Sequence, residues 1–104
     1  MSNLIRIYNA DIHGDFTDSV LTWQRFIEVV NKLPGVTVVN SIKHDFPGGG
    51  FSGLILLAES HAAIHTFPEK NIAWMELATC GDPHALTVFA EKIQALTSSE
   101  ANLT

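Results

Sequence analysis

The sequence predicts an α+β fold: a two-layer sandwich in which a four-stranded antiparallel sheet carries two helices on one face, in the order βαβββα. Three observations predict it. Two segments, over residues 18–33 and 83–96, repeat apolar residues at intervals of three and four. Four others are short, apolar or β-branched, and bounded by Gly, Pro or Asn. Three of these four follow one another through short connections, which favours antiparallel pairing over parallel crossovers.

The first strand is expected over Leu4–Ile12, where Ile5 and Ile7 alternate with polar residues. The first helix follows from Val20, Leu21, Trp23, Phe26, Ile27, Val29, Val30 and Leu33, with Thr17 or Asp18 as its cap and Pro34-Gly35 as its stop. "VTVVNSIKHDF" (Val36–Phe46) is β-branched and reads as a second strand, with "PGGGFSG" behind it as a loop. "SGLILLAES" (Ser52–Ser60) is a third strand. "HTFPEKN" is a turn, because Pro68 lacks an N–H and restricts the residue before it. "IAWMELATC" (Ile72–Cys80) is the fourth strand, and Pro83 opens the second helix with Asp82 as its cap. Leu86, Val88, Phe89, Ile93 and Leu96 give that helix an apolar face.

Composition narrows the function. Hydrophobic residues make up 46% of the chain and charged ones 16%, a balance that leaves apolar surface for a second copy to bury. The net charge is −5 and the six Lys and Arg are scattered, so no basic patch offers itself to nucleic acid. No stretch approaches the roughly 20 apolar residues of a membrane span, and the start lacks a signal-peptide pattern. The expectation is one soluble, cytoplasmic domain over residues 1–104. Cys80 stands alone, so neither an internal disulfide nor a C-x-x-C motif is available.

The chemistry gathers at "LAESHAAIHTFPE", Leu57–Glu69. His61 and His65, four apart, would meet at one metal on a helix, but "HAAIHTFP" is too short before Pro68 to form one. No cysteine or acidic residue stands at the spacing of a third ligand, so no metal site is expected. The longer stretch Ser52–Asp82 contains E-S-H, then I-H-T-F-P-E, then T-C-G-D after one strand. In this it resembles the processing and active-site region of the prokaryotic S-adenosylmethionine decarboxylases, pyruvoyl enzymes of polyamine synthesis made as proenzymes. The first strand lacks the family's G-x-H-like start, and after the second helix "TSSEANLT" reads as a polar tail where the family commonly has a further strand.

The resemblance implies self-cleavage between Glu59 and Ser60. The Ser60 hydroxyl attacks the preceding carbonyl, the amide becomes an ester, and β-elimination leaves a pyruvoyl group, derived from Ser60, at the head of the second fragment. It further implies that His65 takes the Ser60 α-proton, that Ser52 assists processing or catalysis, and that Cys80 returns a proton to the decarboxylated product. Glu69 would bind ribose hydroxyls and Phe46 would stack on adenine, with Tyr8 a candidate for a second stacking ring. The pyruvoyl ketone is the electron sink, so no external cofactor is implied. The implied substrate is S-adenosylmethionine, decarboxylated for spermidine synthesis. Pyruvoyl-dependent decarboxylation of arginine or ornithine is an alternative, as is a non-catalytic dimeric binding module with the same fold.

On one straight strand Ser52 and Ser60 share parity and stand roughly 26 Å apart. They could then meet only across a homodimer, with Ser60 and Cys80 from one subunit facing Phe46, Ser52, His65 and Glu69 from the other.

Overall fold

The structure, a computed structural model, describes residues 4–96. Its elements are β1 (Arg6–His13), α1 (Ser19–Asn31), β2 (Val38–Asp45), β3 (Phe51–Leu57), β4 (Ser60–Phe67), β5 (Ile72–Thr79) and α2 (His84–Ile93). The strands form one sheet in the order β1-β5-β4-β3-β2, and every neighbouring pair is antiparallel. The α+β class and the two helices stand as expected. The sheet, however, has five strands rather than four, and the order is βαββββα.

The extra strand arises where the expected third strand breaks. Leu57 faces Ser60 across the β3–β4 ladder, so the chain reverses through Ala58 and Glu59 alone. Glu59 takes a left-handed backbone, φ 69°, a place usually given to glycine. His61–Phe67, expected to lead into or form a turn, instead pairs with β3 on one side and β5 on the other. The Pro68 turn is real but begins later, as one 3-10 turn over Pro68–Lys70 closed by left-handed Asn71.

Asp18, rather than Thr17, caps α1: its carboxylate accepts from Leu21 N–H at 3.0 Å. Asp82 likewise accepts from His84 N–H at 2.9 Å where α2 begins. Both helices cover one face of the sheet. Phe26 of α1 and Phe89 of α2 meet edge to face, with ring centroids 6.1 Å apart. They join Phe51, Ile55, Ile64, Met75 and Leu77 in a single buried cluster. Alternation then sends the other residues of each strand outward, and this second face is open: Ile7, Ile42, Leu54 and Leu56 are all exposed on it.

Trp23 fixes α1 to the sheet. Its indole stacks with Phe26 and meets Phe51 edge-on, and it lies so close to Gly53 that an added Cβ would fall 2.3 Å from the ring. Gly53 sits next to Ser52, so this contact also sets the height of β3. Replacing Gly53 by alanine is expected to overpack the contact and lower stability by about 1–3 kcal/mol. A urea midpoint that falls at unchanged slope would register this; an unmoved midpoint would mean that Trp23 does not hold the strand.

Candidate active site

The sequence-predicted residues fall into two clusters at opposite ends of β3 and β4. The first surrounds the β3–β4 turn. Ser60 opens β4 and faces Thr79, the last residue of β5. Its Oγ donates to Thr79 Oγ1 at 3.1 Å. Thr79 is buried, and the same oxygen accepts the Gly81 N–H at 3.0 Å. Cys80 follows with the opposite strand parity; its thiol is exposed and donates to the Glu59 carbonyl oxygen at 3.1 Å. The Glu59 carboxylate lies 3.5 Å from the same sulfur. The turn is tied down from the far side as well, by Ala58 N–H donating to Thr37 O at 3.0 Å.

Three features therefore converge on the Glu59–Ser60 peptide. Its carbonyl carries a thiol donor, which draws electron density from the carbon. The hydroxyl that could attack that carbon belongs to the next residue. The residue bearing the carbonyl is left-handed, at a cost of about 1–2 kcal/mol for a side chain other than glycine.

The second cluster lies on the open face near the other end of these strands. Ser52 and His65 face each other across β3 and β4, with Ser52 Oγ 2.7 Å from His65 Nδ1. Trp74 continues the row on β5, its ring centroid 5.5 Å from that of His65. A cleft of about 530 Å³ opens beside them, lined by Phe46, Ser52, His65, Phe67 and Glu69. Its wall is the loop between β2 and β3, where Phe46 N–H bonds Gly50 O at 2.8 Å and Gly48 and Gly49 both have positive φ. A Cβ on Gly50 would come 2.8 Å from Thr66 O, so this glycine lets the loop lie against β4. Phe46 and Phe67 are 47% and 42% exposed, which leaves two aromatic rings available to a flat ligand.

The structure thus brings Phe46, Ser52, His65 and Glu69 together, and separately Glu59, Ser60 and Cys80. The relation between the clusters differs from the straight-strand expectation. Facing residues of an antiparallel pair point the same way; Ser60 faces buried Leu57, whereas Ser52 faces His65 on the open side. The two serines therefore have opposite parity, because the turn at Ala58–Glu59 restarts the count. They stand five ladder positions apart, about 17 Å, not 26 Å. Tyr8 belongs to neither cluster: it packs edge-on against Phe89 beneath the sheet. Phe67, next to the proline of the turn, was hidden by reading His65–Asn71 as connection. Thr79 was legible only as the neighbour of Cys80. Among the described residues, no group of three His, Cys, Asp or Glu side chains gathers as a metal site, and no helix is long and apolar enough to cross a membrane.

Comparison with known proteins bears on this arrangement. A family model described as S-adenosylmethionine decarboxylase matches residues 10–104. An S-adenosylmethionine decarboxylase proenzyme from Prochlorococcus marinus (strain MIT 9313) is 39% identical over 79 residues, 76% of this chain and 62% of that protein. The Aquifex aeolicus (strain VF5) protein of the same description is 39% identical over 77 residues, 71% of this chain and 57% of that protein. The chain therefore spans about three fifths of the length of these relatives. The crystal structure of the adenosylmethionine decarboxylase from Aquifex aeolicus superposes with a TM-score of 0.75 at 29% identity, covering 92% of this chain and 81% of that one. With the family model spanning both clusters and the fold shared, the chain belongs to the S-adenosylmethionine decarboxylase family.

Proposed function

We propose that this chain is a self-processing, pyruvoyl-dependent decarboxylase that converts S-adenosylmethionine to its decarboxylated form for spermidine synthesis. The observation that carries the reading is the Cys80 thiol on the carbonyl of left-handed Glu59, immediately before Ser60. As the Ser60 oxygen adds to that carbonyl, negative charge grows on its oxygen, and the thiol stands where that charge develops. Collapse breaks the C–N bond and leaves an ester between Glu59 and the Ser60 oxygen. Loss of the Ser60 α-proton then expels the Glu59 carboxylate, and hydrolysis of the dehydroalanine residue releases ammonia and leaves the pyruvoyl group. That group supplies the electron sink for decarboxylation. Cys80 remains beside it, placed to return a proton to the product.

The cleft fits an adenosyl substrate better than a plain amino acid. Phe46 and Phe67 offer two stacking surfaces suited to a purine, and Glu69 offers acceptors for vicinal hydroxyls. Ornithine has no planar group to stack, whereas arginine's guanidinium could stack on a ring and pair with Glu69, so release of carbon dioxide from S-adenosylmethionine but not from arginine is the expected discrimination.

Within one chain, His65 lies five residues along β4 from Ser60, too far to take its α-proton. A homodimer removes the difficulty. If two open faces pack about a two-fold axis running across the strands, strand direction reverses and the Ser52–His65 end of one copy lies over the Ser60–Cys80 end of the other. The same packing would cover Ile7, Ile42, Leu54 and Leu56. Composite sites are therefore proposed, with Ser60 and Cys80 from one subunit and Phe46, Ser52, His65 and Glu69 from its partner.

Intact mass of freshly made protein should resolve into fragments 1–59 and 60–104, while Ser60→Ala stays a single chain. An uncut wild type would leave the binding module as the reading. Cys80→Ala is expected to cut about tenfold more slowly, the equivalent of one lost hydrogen bond. Once cut, it should release carbon dioxide from S-adenosylmethionine about 100-fold more slowly or worse. Normal rates in both assays would remove Cys80 from the mechanism. Co-expressing Ser60→Ala with Glu69→Ala should restore roughly a quarter of wild-type activity if each site draws on two subunits. No recovery in a confirmed mixed dimer would place each site within one chain.

A further inference from the structure

We infer that Thr79 is the positioning residue for the nucleophile of self-cleavage, an inference that rests on the proposed processing of Ser60. A serine side chain has three staggered rotamers and a freely turning hydroxyl. Attack on the preceding carbonyl needs an oxygen lone pair, not the O–H, aimed at the Glu59 carbon. Thr79 supplies a fixed acceptor for that hydrogen: Ser60 Oγ donates to Thr79 Oγ1 at 3.1 Å, which turns the O–H towards β5 and leaves the lone pairs free to face elsewhere.

The acceptor is itself immobilised in three ways. Thr79 is 4% exposed. Its Oγ1 accepts the Gly81 N–H at 3.0 Å, and β-branching restricts its χ1. Ladder register places it directly opposite Ser60, so the contact is set by the backbone rather than by a mobile side chain. The last residue of β5 and the one after it then hold the two reacting groups from different sides: Thr79 orients the hydroxyl, and Cys80 takes the carbonyl oxygen of the same peptide. In the step so arranged, the Ser60 oxygen bonds to the Glu59 carbon, the Glu59–Ser60 C–N bond breaks, and the hydroxyl proton ends on the freed Ser60 nitrogen.

The test follows newly translated full-length chain by intact mass over time, with and without neutral hydroxylamine, which cuts esters and leaves ordinary amides. Thr79→Val keeps the side-chain shape but removes the acceptor, and is expected to cut at least about tenfold more slowly than wild type. Because the block precedes the ester, hydroxylamine should not release fragments from the uncut variant. Thr79→Ser restores the oxygen and should cut within about threefold of wild type. If Thr79→Val fails to fold, as read by circular dichroism and thermal melting, Thr79→Ala takes its place. Wild-type cleavage in a folded, acceptor-free variant would overturn the inference and leave the self-processing reading standing. So would an accumulated hydroxylamine-sensitive ester, since the acyl shift would then not need Thr79. A wild type that never cuts would overturn both.

Discussion

The reversal of the chain at Ala58–Glu59 is the constraint on which the rest of the structure depends. With Leu57 and Ser60 directly opposed, two residues complete the turn, and the second of them is left-handed. Glycine there would cost nothing. A glutamate costs about 1–2 kcal/mol, and the surrounding structure must hold it in place. Ala58 bonded to Thr37, Ser60 locked into the β4–β5 ladder and Cys80 donating to the Glu59 carbonyl all supply that restraint. The strained peptide is thus also the one whose carbonyl is polarised and whose neighbour is a nucleophile. This is where backbone strain can serve chemistry rather than merely tax the fold.

The turn also decides what the two faces of the sheet can do. It makes Ser60 an inward residue, shielded beneath the sheet's end, and keeps Ser52 and His65 on the open face about 17 Å away. One chain therefore separates the Glu59–Ser60 junction from the aromatic-lined cleft. The open face between them mixes exposed aliphatic residues with one polar pair, His61 Nε2 and Glu76 Oε2 at 3.1 Å. A second copy packed there would satisfy the exposed apolar area and the separated chemistry by the same contact.

Much of this was legible in the sequence. Both helices follow from apolar spacing at three and four, and the Asp18 cap from its side-chain chemistry; at α2 the N-cap position falls on Pro83, with Asp82 one residue earlier accepting the His84 N–H. The Glu-Ser-His junction and Cys80 stood out as a constellation, and the structure brings Glu59 and Cys80 within hydrogen-bonding reach, while His61 turns to Glu76 on the open face. The fifth strand was hidden because Ala-Glu carries none of the Gly or Asn content that marks a two-residue turn. Ala62, Ala63 and Ile64 are all buried, so β4 also lacks the clean alternation that announces a half-exposed strand. Missing that strand hid the register, and with it the Ser52–His65 contact, the inward parity of Ser60 and the role of Phe67 in the cleft wall.

Sheet order adds a consequence that chain order conceals. A cut after Glu59 would place β1, α1, β2 and β3 in one product and β4, β5 and α2 in the other. In space these are interleaved: β4 and β5 lie between β3 on one side and β1 on the other. Every strand of the second product keeps a ladder to the first, through β3–β4 and β1–β5. Phe26 and Phe89, from the two different products, meet in the shared core. Neither product contains a core of its own, so breaking the chain at its most strained peptide removes a turn but not the reason for the two parts to stay together. The fold can release the strain of Glu59 because the turn sets the register of β4 against β3, and once that register is set the ladders and the shared core hold it without the bond.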